Sequence, residues 1–95
     1  MILYNVSIII DDSSHDALLA WLKNELQSIT YDINFLKMLD SPHEGSTYCI
    51  QLTTENESKI TDFQQEVLVR IQEYIGNKHF EKAFIFDSKM RFLSI

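Results

Sequence analysis

Apolar and polar residues alternate from the start of the chain. Ile2, Tyr4, Val6, Ile8 and Ile10 fall on one side of an extended backbone, and Leu3, Asn5, Ser7 and Ile9 on the other. A period of two built from β-branched and aromatic residues predicts a strand. Asp11-Asp12-Ser13-Ser14 closes it with helix-capping residue types. Ser13 and Asp16, three places apart, predict a capping box with Asp where Glu is usual. The period then lengthens. Leu18, Trp21, Leu22, Leu26 and Ile29 recur every three or four residues and predict a helix over 14–28, with Lys23, Asn24, Glu25 and Gln27 off its apolar stripe. Alternation returns over 33–39, where Phe35, Lys37 and Leu39 oppose Leu36 and Met38. The run Asp40-Ser41-Pro42-His43-Glu44-Gly45 is turn chemistry. A third strand is predicted over 46–54, with Tyr48, Ile50 and Leu52 facing one way and Thr47, Cys49, Gln51 and Thr53 the other. Ile60, Phe63, Val67, Ile71, Tyr74 and Ile75 then predict a long amphipathic helix over 57–75, stopped at Gly76-Asn77. A last strand is predicted within 80–93, bulged or broken near 87–89, where Asp87, Ser88 and Lys89 interrupt the apolar residues.

The order β-α-β-β-α-β predicts an α+β fold of the ferredoxin-like kind. This is a four-stranded antiparallel sheet with two helices on one face, formed by a single domain over residues 1–95. That topology puts the first and third strands in the centre. Both lack charged residues, whereas the second carries Lys37 and the tail carries Lys82, Asp87, Lys89 and Arg91, as suits sheet edges. One central face is apolar and aromatic and is expected to meet the helices. The other (Asn5, Ser7, Ile9, Thr47, Cys49, Gln51, Thr53) is small, neutral and hydrogen-bonding, in a chain that is 23% charged. A face washed by water is expected to show Lys, Glu or Arg, while neutral polar groups can be buried once paired. The chain offers no third helix to cover this face, so a second copy is the expected cover, giving a dimeric α/β barrel. A bare, Thr-rich sheet is the alternative.

Composition narrows the function classes. With 14 acidic against 8 basic residues the net charge is −6, which argues against nucleic-acid partners that need a basic face. A single cysteine excludes an intrachain disulfide framework. No run nears the ~20 apolar residues of a membrane helix, and the apolar start lacks the basic flank and cleavage site of a signal peptide. The expectation is a cytoplasmic protein with no membrane or nucleic-acid partner.

Chemistry is sparse. Gly45 and Gly76 are the only glycines, too few and too far apart for a phosphate-cradling loop. His15, His43, His79 and Cys49 lack zinc-ligand spacing, so no metal and no cofactor is expected. Ser46 follows Gly45, but there is no Gly-x-Ser-x-Gly turn. Cys49 reads as a buried thiol, His15 as a solvated histidine of a helix start, and Tyr4, Tyr48 and Trp21 as core. Asn5, Ser7, Cys49 and Gln51 are the candidate ligand-binding set, because in a barrel they would point inward and could orient a small molecule. Cross-subunit hydrogen bonding is the plainer role for the same residues.

Ile2-Leu3-Tyr4-Asn5-Val6, Ile10-Asp11, His15, Trp21 and Lys23, then Gly45, Thr47-Tyr48, Ile50-Gln51, and finally Phe86, Ser88 and Met90 resemble a small bacterial family known as domain of unknown function 4286. Leu18 and Asp87 depart from its pattern, where a tryptophan and a basic residue are expected. The resemblance implies a ferredoxin-like, dimeric α/β-barrel fold and no established activity, so no catalytic residue is carried over. Two functions of different class follow: a homodimeric structural or interaction domain without catalysis, and, on fold analogy alone, a small-molecule-binding barrel or cofactor-free oxygenase-like enzyme. Whether the chain is an enzyme is left open by its sequence.

Overall fold

The computed structural model describes residues 1–95. Strand β1 (Ile2–Ile10) leads through a short 3₁₀ turn (Asp12–Ser14) into helix α1 (His15–Gln27). Strands β2 (Asn34–Lys37) and β3 (Ser46–Thr54) form a hairpin. Helix α2 (Glu57–Phe63) runs through a π-helical turn (Gln64–Leu68) straight into α3 (Val69–Lys78), and β4 (Ala83–Arg91) completes the chain's regular structure. The sheet order is β2-β3-β1-β4, antiparallel throughout. This is the ferredoxin-like βαββαβ arrangement, with the two charge-free strands at its centre.

The period-two pattern becomes a core because every second residue of β1 is buried. Tyr4, Val6, Ile8, Ile10, Ile50 and Leu52 meet Leu18 and Leu22 of α1 and Ile60, Phe63, Val67 and Ile71 of the second helical rod in one cluster. The π turn inserts an extra residue into the helical repeat, so the adjacent Val67 and Leu68 are both buried. Trp21 is only partly buried. Its ring stacks on Tyr74 with centroids 4.0 Å apart and planes 4° from parallel, tying α1 to α3. Glu25, expected on the watery side of α1, is buried and ion-paired to Arg70 of α3, a second tie between the helices.

Several boundaries differ from the sequence reading. Asp11, not Ser13, caps the first helical turn: its carboxylate accepts from the Ser13 backbone N–H at 2.9 Å, and Ser14 makes no side-chain cap. The Ser13 hydroxyl, which donates to the same carboxylate, and then this backbone bond hold the Asp11 carboxyl below the usual carboxylate range. Strand β2 is four residues long, shorter than its alternation predicts: Asn34 to Lys37 pair along β3, and Met38 adds a single bond to Thr47 before the chain turns away. The second rod passes Gly76 without stopping and ends at Lys78, where the His79 N–H bonds back to the Ile75 carbonyl. The reversal follows from Glu81, which adopts φ 62°. Strand β4 is neither bulged nor broken: Asp87, Ser88 and Lys89 pair in register with Val6, Asn5 and Tyr4.

Candidate functional site

The sheet face away from the helices is the one surface where the chain concentrates exposed apolar residues among paired polar ones. Register puts Leu3, Asn5, Ser7 and Ile9 of β1 beside Thr53, Gln51, Cys49 and Thr47 of β3. On the outer flanks, Leu36 of β2 joins Cys49, and Phe84, Phe86, Ser88 and Met90 of β4 join Ile9, Ser7, Asn5 and Leu3. No side chain in these rows is charged. Phe84 is 56% exposed, Phe86 61% and Met90 48%. The charges of β4 all fall on the helix side, opposite Val6, Tyr4 and Ile2. Alternation along β1 and β3 marks the neutral middle of this face but not its aromatic flank. The supposed break at 87–89 hid the register that carries Phe84, Phe86, Ser88 and Met90 onto one side.

The four residues singled out from sequence come together here. The Gln51 amide donates to Asn5 Oδ1 at 3.2 Å, the Asn5 amide donates to Ser7 Oγ at 3.0 Å, and Ser7 Oγ lies 3.5 Å from Cys49 Sγ. One chain of bonds therefore crosses both central strands, which is what lets neutral polar groups lie in a face that is half-buried already. Cys49 is buried and unpaired to any other cysteine.

Above one end of this face stands the β2–β3 connection. It is held by Met38 N–H donating to the Thr47 carbonyl at 2.9 Å, by a Ser41–Thr47 hydroxyl contact of 3.0 Å, and by His43 N–H donating to Ser41 Oγ at 3.2 Å. Gly45 sits at φ +81°, and a side chain there would start 2.2 Å from the Ile10 carbonyl oxygen. Only glycine lets the connection press this closely on β1. Between connection and sheet lies a half-open hollow of about 280 Å³, lined by Ser7, Ile9, Met38, Pro42, His43, Thr47 and Phe86. Of the four sequence candidates only Ser7 reaches it. His43 and Pro42 belong to the turn run 40–45, and nothing local distinguishes them from any other turn. A larger depression of about 330 Å³ opens at the outer edge of β4 around Ile75, Phe80 and Phe84, away from the polar chain.

Two further polar groups lie on the helix side. His15, expected to be solvated, bridges Asp16 Oδ1 (2.8 Å) and the Tyr48 hydroxyl (2.7 Å), and no hollow opens onto it. Tyr48 stacks on Phe35 at 5.6 Å, so the trio ties α1 to the hairpin. Tyr4 is buried and donates to Asp87 at 2.6 Å while accepting from Gln64, the first residue of the π turn. Burial first, then the Asp87 hydrogen bond, pushes its phenol from 10.0 up to about 12. A raised folded-state pKa means that the neutral phenol's contribution is complete below the unfolded value and fades as pH climbs from about 10 toward 12. Denaturant titrations of wild type and Tyr4→Phe at about pH 9 and about pH 11 should therefore show wild type losing more stability across the interval than the variant. Equal losses would remove Tyr4 as the cause. Tyr31, bonded to Glu66 at 2.6 Å, is likewise raised to about 12 and is common to both proteins.

No helix is long and apolar enough to cross a membrane. A family model described as "Domain of unknown function (DUF4286)" matches residues 1–93. No curated protein matches the chain. Among solved structures, a dabb family protein with a ferredoxin-like fold from Mesorhizobium loti superposes with a TM-score of 0.62 at 7% identity, over 99% of this chain and 100% of that one. The de novo designed protein Foldit4 superposes at 0.61 with 9% identity, over 97% of this chain and 98% of that one. At such identities the likeness concerns the fold alone.

Proposed function

The chain belongs to the DUF4286 family, and from that premise we propose that it is a self-associating domain whose open sheet face packs against the same face of a second copy to form a two-chain α/β barrel. One observation carries this reading: a continuous, charge-free sheet face with Leu36, Phe84, Phe86 and Met90 exposed on it, in a chain with net charge −6. Interface cores are depleted of charge and enriched in Phe and Met in the same way. Size agrees. Three strands roughly 30 Å long and the short β2, about 4.8 Å apart, present on the order of 500 Å² in projection, and side-chain relief raises the accessible area toward the ~800 Å² per partner of a stable interface. A sheet pairing with its own copy about a two-fold axis also matches polar chain to polar chain, so the Asn5, Ser7 and Gln51 groups meet partners of their own kind.

The proposed role is structural or one of interaction, without catalysis, in the reducing cytoplasm, where the unpaired Cys49 remains a thiol. Light scattering across a chromatographic peak tests the assembly. The expected molar mass is twice the chain's 11.2 kDa, and a mass of one chain at roughly millimolar loading would end the proposal.

A further inference from the structure

We propose that the hollow beneath the β2–β3 connection binds a small uncharged molecule, its apolar body laid on Ile9, Met38 and Phe86 and its hydrogen-bonding end held by the His43 ring. The inference deepens the dimer reading, since a second sheet would roof the hollow, but every wall named belongs to one chain.

Three observations support it. The first is size: about 280 Å³ falls just under the ~300–1,000 Å³ that drug-sized ligands occupy, room for a molecule the size of one or two fused rings. The second is chemistry. No Asp, Glu, Lys or Arg lines the hollow, so a charged ligand would shed its hydration without meeting a counter-charge. Aromatic, thioether and branched aliphatic surfaces face it instead, with hydroxyls and an imidazole that can each donate or accept. Ser7 Oγ and Thr47 Oγ1 are engaged by Asn5 and Ser41, while the His43 ring makes no bond within the chain and is the free recognition group. The third is construction. The connection is pinned by the Met38–Thr47 backbone bond and by the close seat of Gly45 on Ile10, so the wall carrying His43 is placed before any ligand arrives.

Phenol and indole serve as neutral probes, with benzoate and benzylammonium as charged controls, titrated into the ¹⁵N-labelled full chain and followed by amide shifts. Molar mass is measured on the same samples. Saturable shifts at Ser7, Ile9, Thr47 and Phe86 are expected with a neutral probe, and at least about tenfold weaker binding with the charged ones. His43→Ala should weaken binding roughly three- to tenfold, the value of one hydrogen bond. Met38→Trp, which fills the hollow from an exposed position, should abolish it. In both variants the remaining amide positions should be unchanged, reporting an intact fold. Shifts confined to the depression around Ile75 and Phe80, no saturable shift below roughly 10 mM, or equal binding by wild type and both variants would each overturn the proposal. A one-chain mass with the expected shifts would end the dimer reading and leave this one standing. A two-chain mass without shifts would mean that partner side chains fill the hollow, and would end this one alone.

Discussion

Phe63→Ala is expected to destabilise the fold by about 3–5 kcal/mol, a large share of the ~5–15 kcal/mol that holds a domain of this size. Phe63 is 1% exposed and lies where both halves of the structure meet. Its ring stands edge-on to Tyr4 of β1 (6.1 Å, 75°) and to Tyr31 after α1 (5.3 Å, 89°). It is also the last residue before the π turn. Urea titration at one fixed protein concentration, with the midpoint falling and the slope unchanged, is the check. A fixed concentration matters because association adds to apparent stability. A loss under about 1 kcal/mol would show that the second helical rod is not seated as described.

Gln51→Glu should separate the two copies while leaving each one folded. The change is nearly isosteric, and Gln51 is half-buried in a single chain, so a monomer can keep its carboxylate wetted. In a face-to-face dimer the same group would lie in a seam whose rows hold no Lys or Arg to pair with it, twice over by symmetry. It would also lose the amide that donates to Asn5. A buried, unpaired carboxylate costs several kcal/mol, so the dissociation constant should rise by at least about a hundredfold. Thr61→Glu, an exposed change on α2, is the control for added charge and should leave the mass alone. Circular dichroism of both variants should match wild type. Unchanged association of Gln51→Glu would place that residue outside any interface and remove the covered face on which the barrel depends.

The same residue shows how far sequence reasoning reached into the site. Gln51, Asn5, Ser7 and Cys49 could be grouped from alternation and sheet order alone, since period two decides the face and topology decides which strands are neighbours. Their hydrogen bonds, 3.0–3.5 Å apart in series, need the register as well. Register also decided the aromatic flank. Read as a strand broken near Asp87, the tail offered no fixed side for Phe84 or Met90. Paired without a bulge from Ala83 to Arg91, it sends Phe84, Phe86 and Met90 to the open face and every charge to the other. His43 was out of reach for a different reason. A turn residue has no period, and its place over Thr47 depends on the contact between Gly45 and Ile10, which are 35 positions apart in the chain.

Periodicity, charge-free central strands and turn chemistry, all properties of neighbours in the chain, were enough to determine four strands, the two long helical stretches, their order and the side of the sheet that meets the helices. They work because burial rewards a repeat matched to the backbone's own repeat, and that match is written locally. The tertiary structure alone decided the burial of Glu25 against Arg70 and the gathering of β4's aromatics beside the polar chain. Each of these turns on a partner far away in sequence, where a small local preference is outweighed by a hydrogen bond, an ion pair or a packed ring that exists only once the chain has closed on itself.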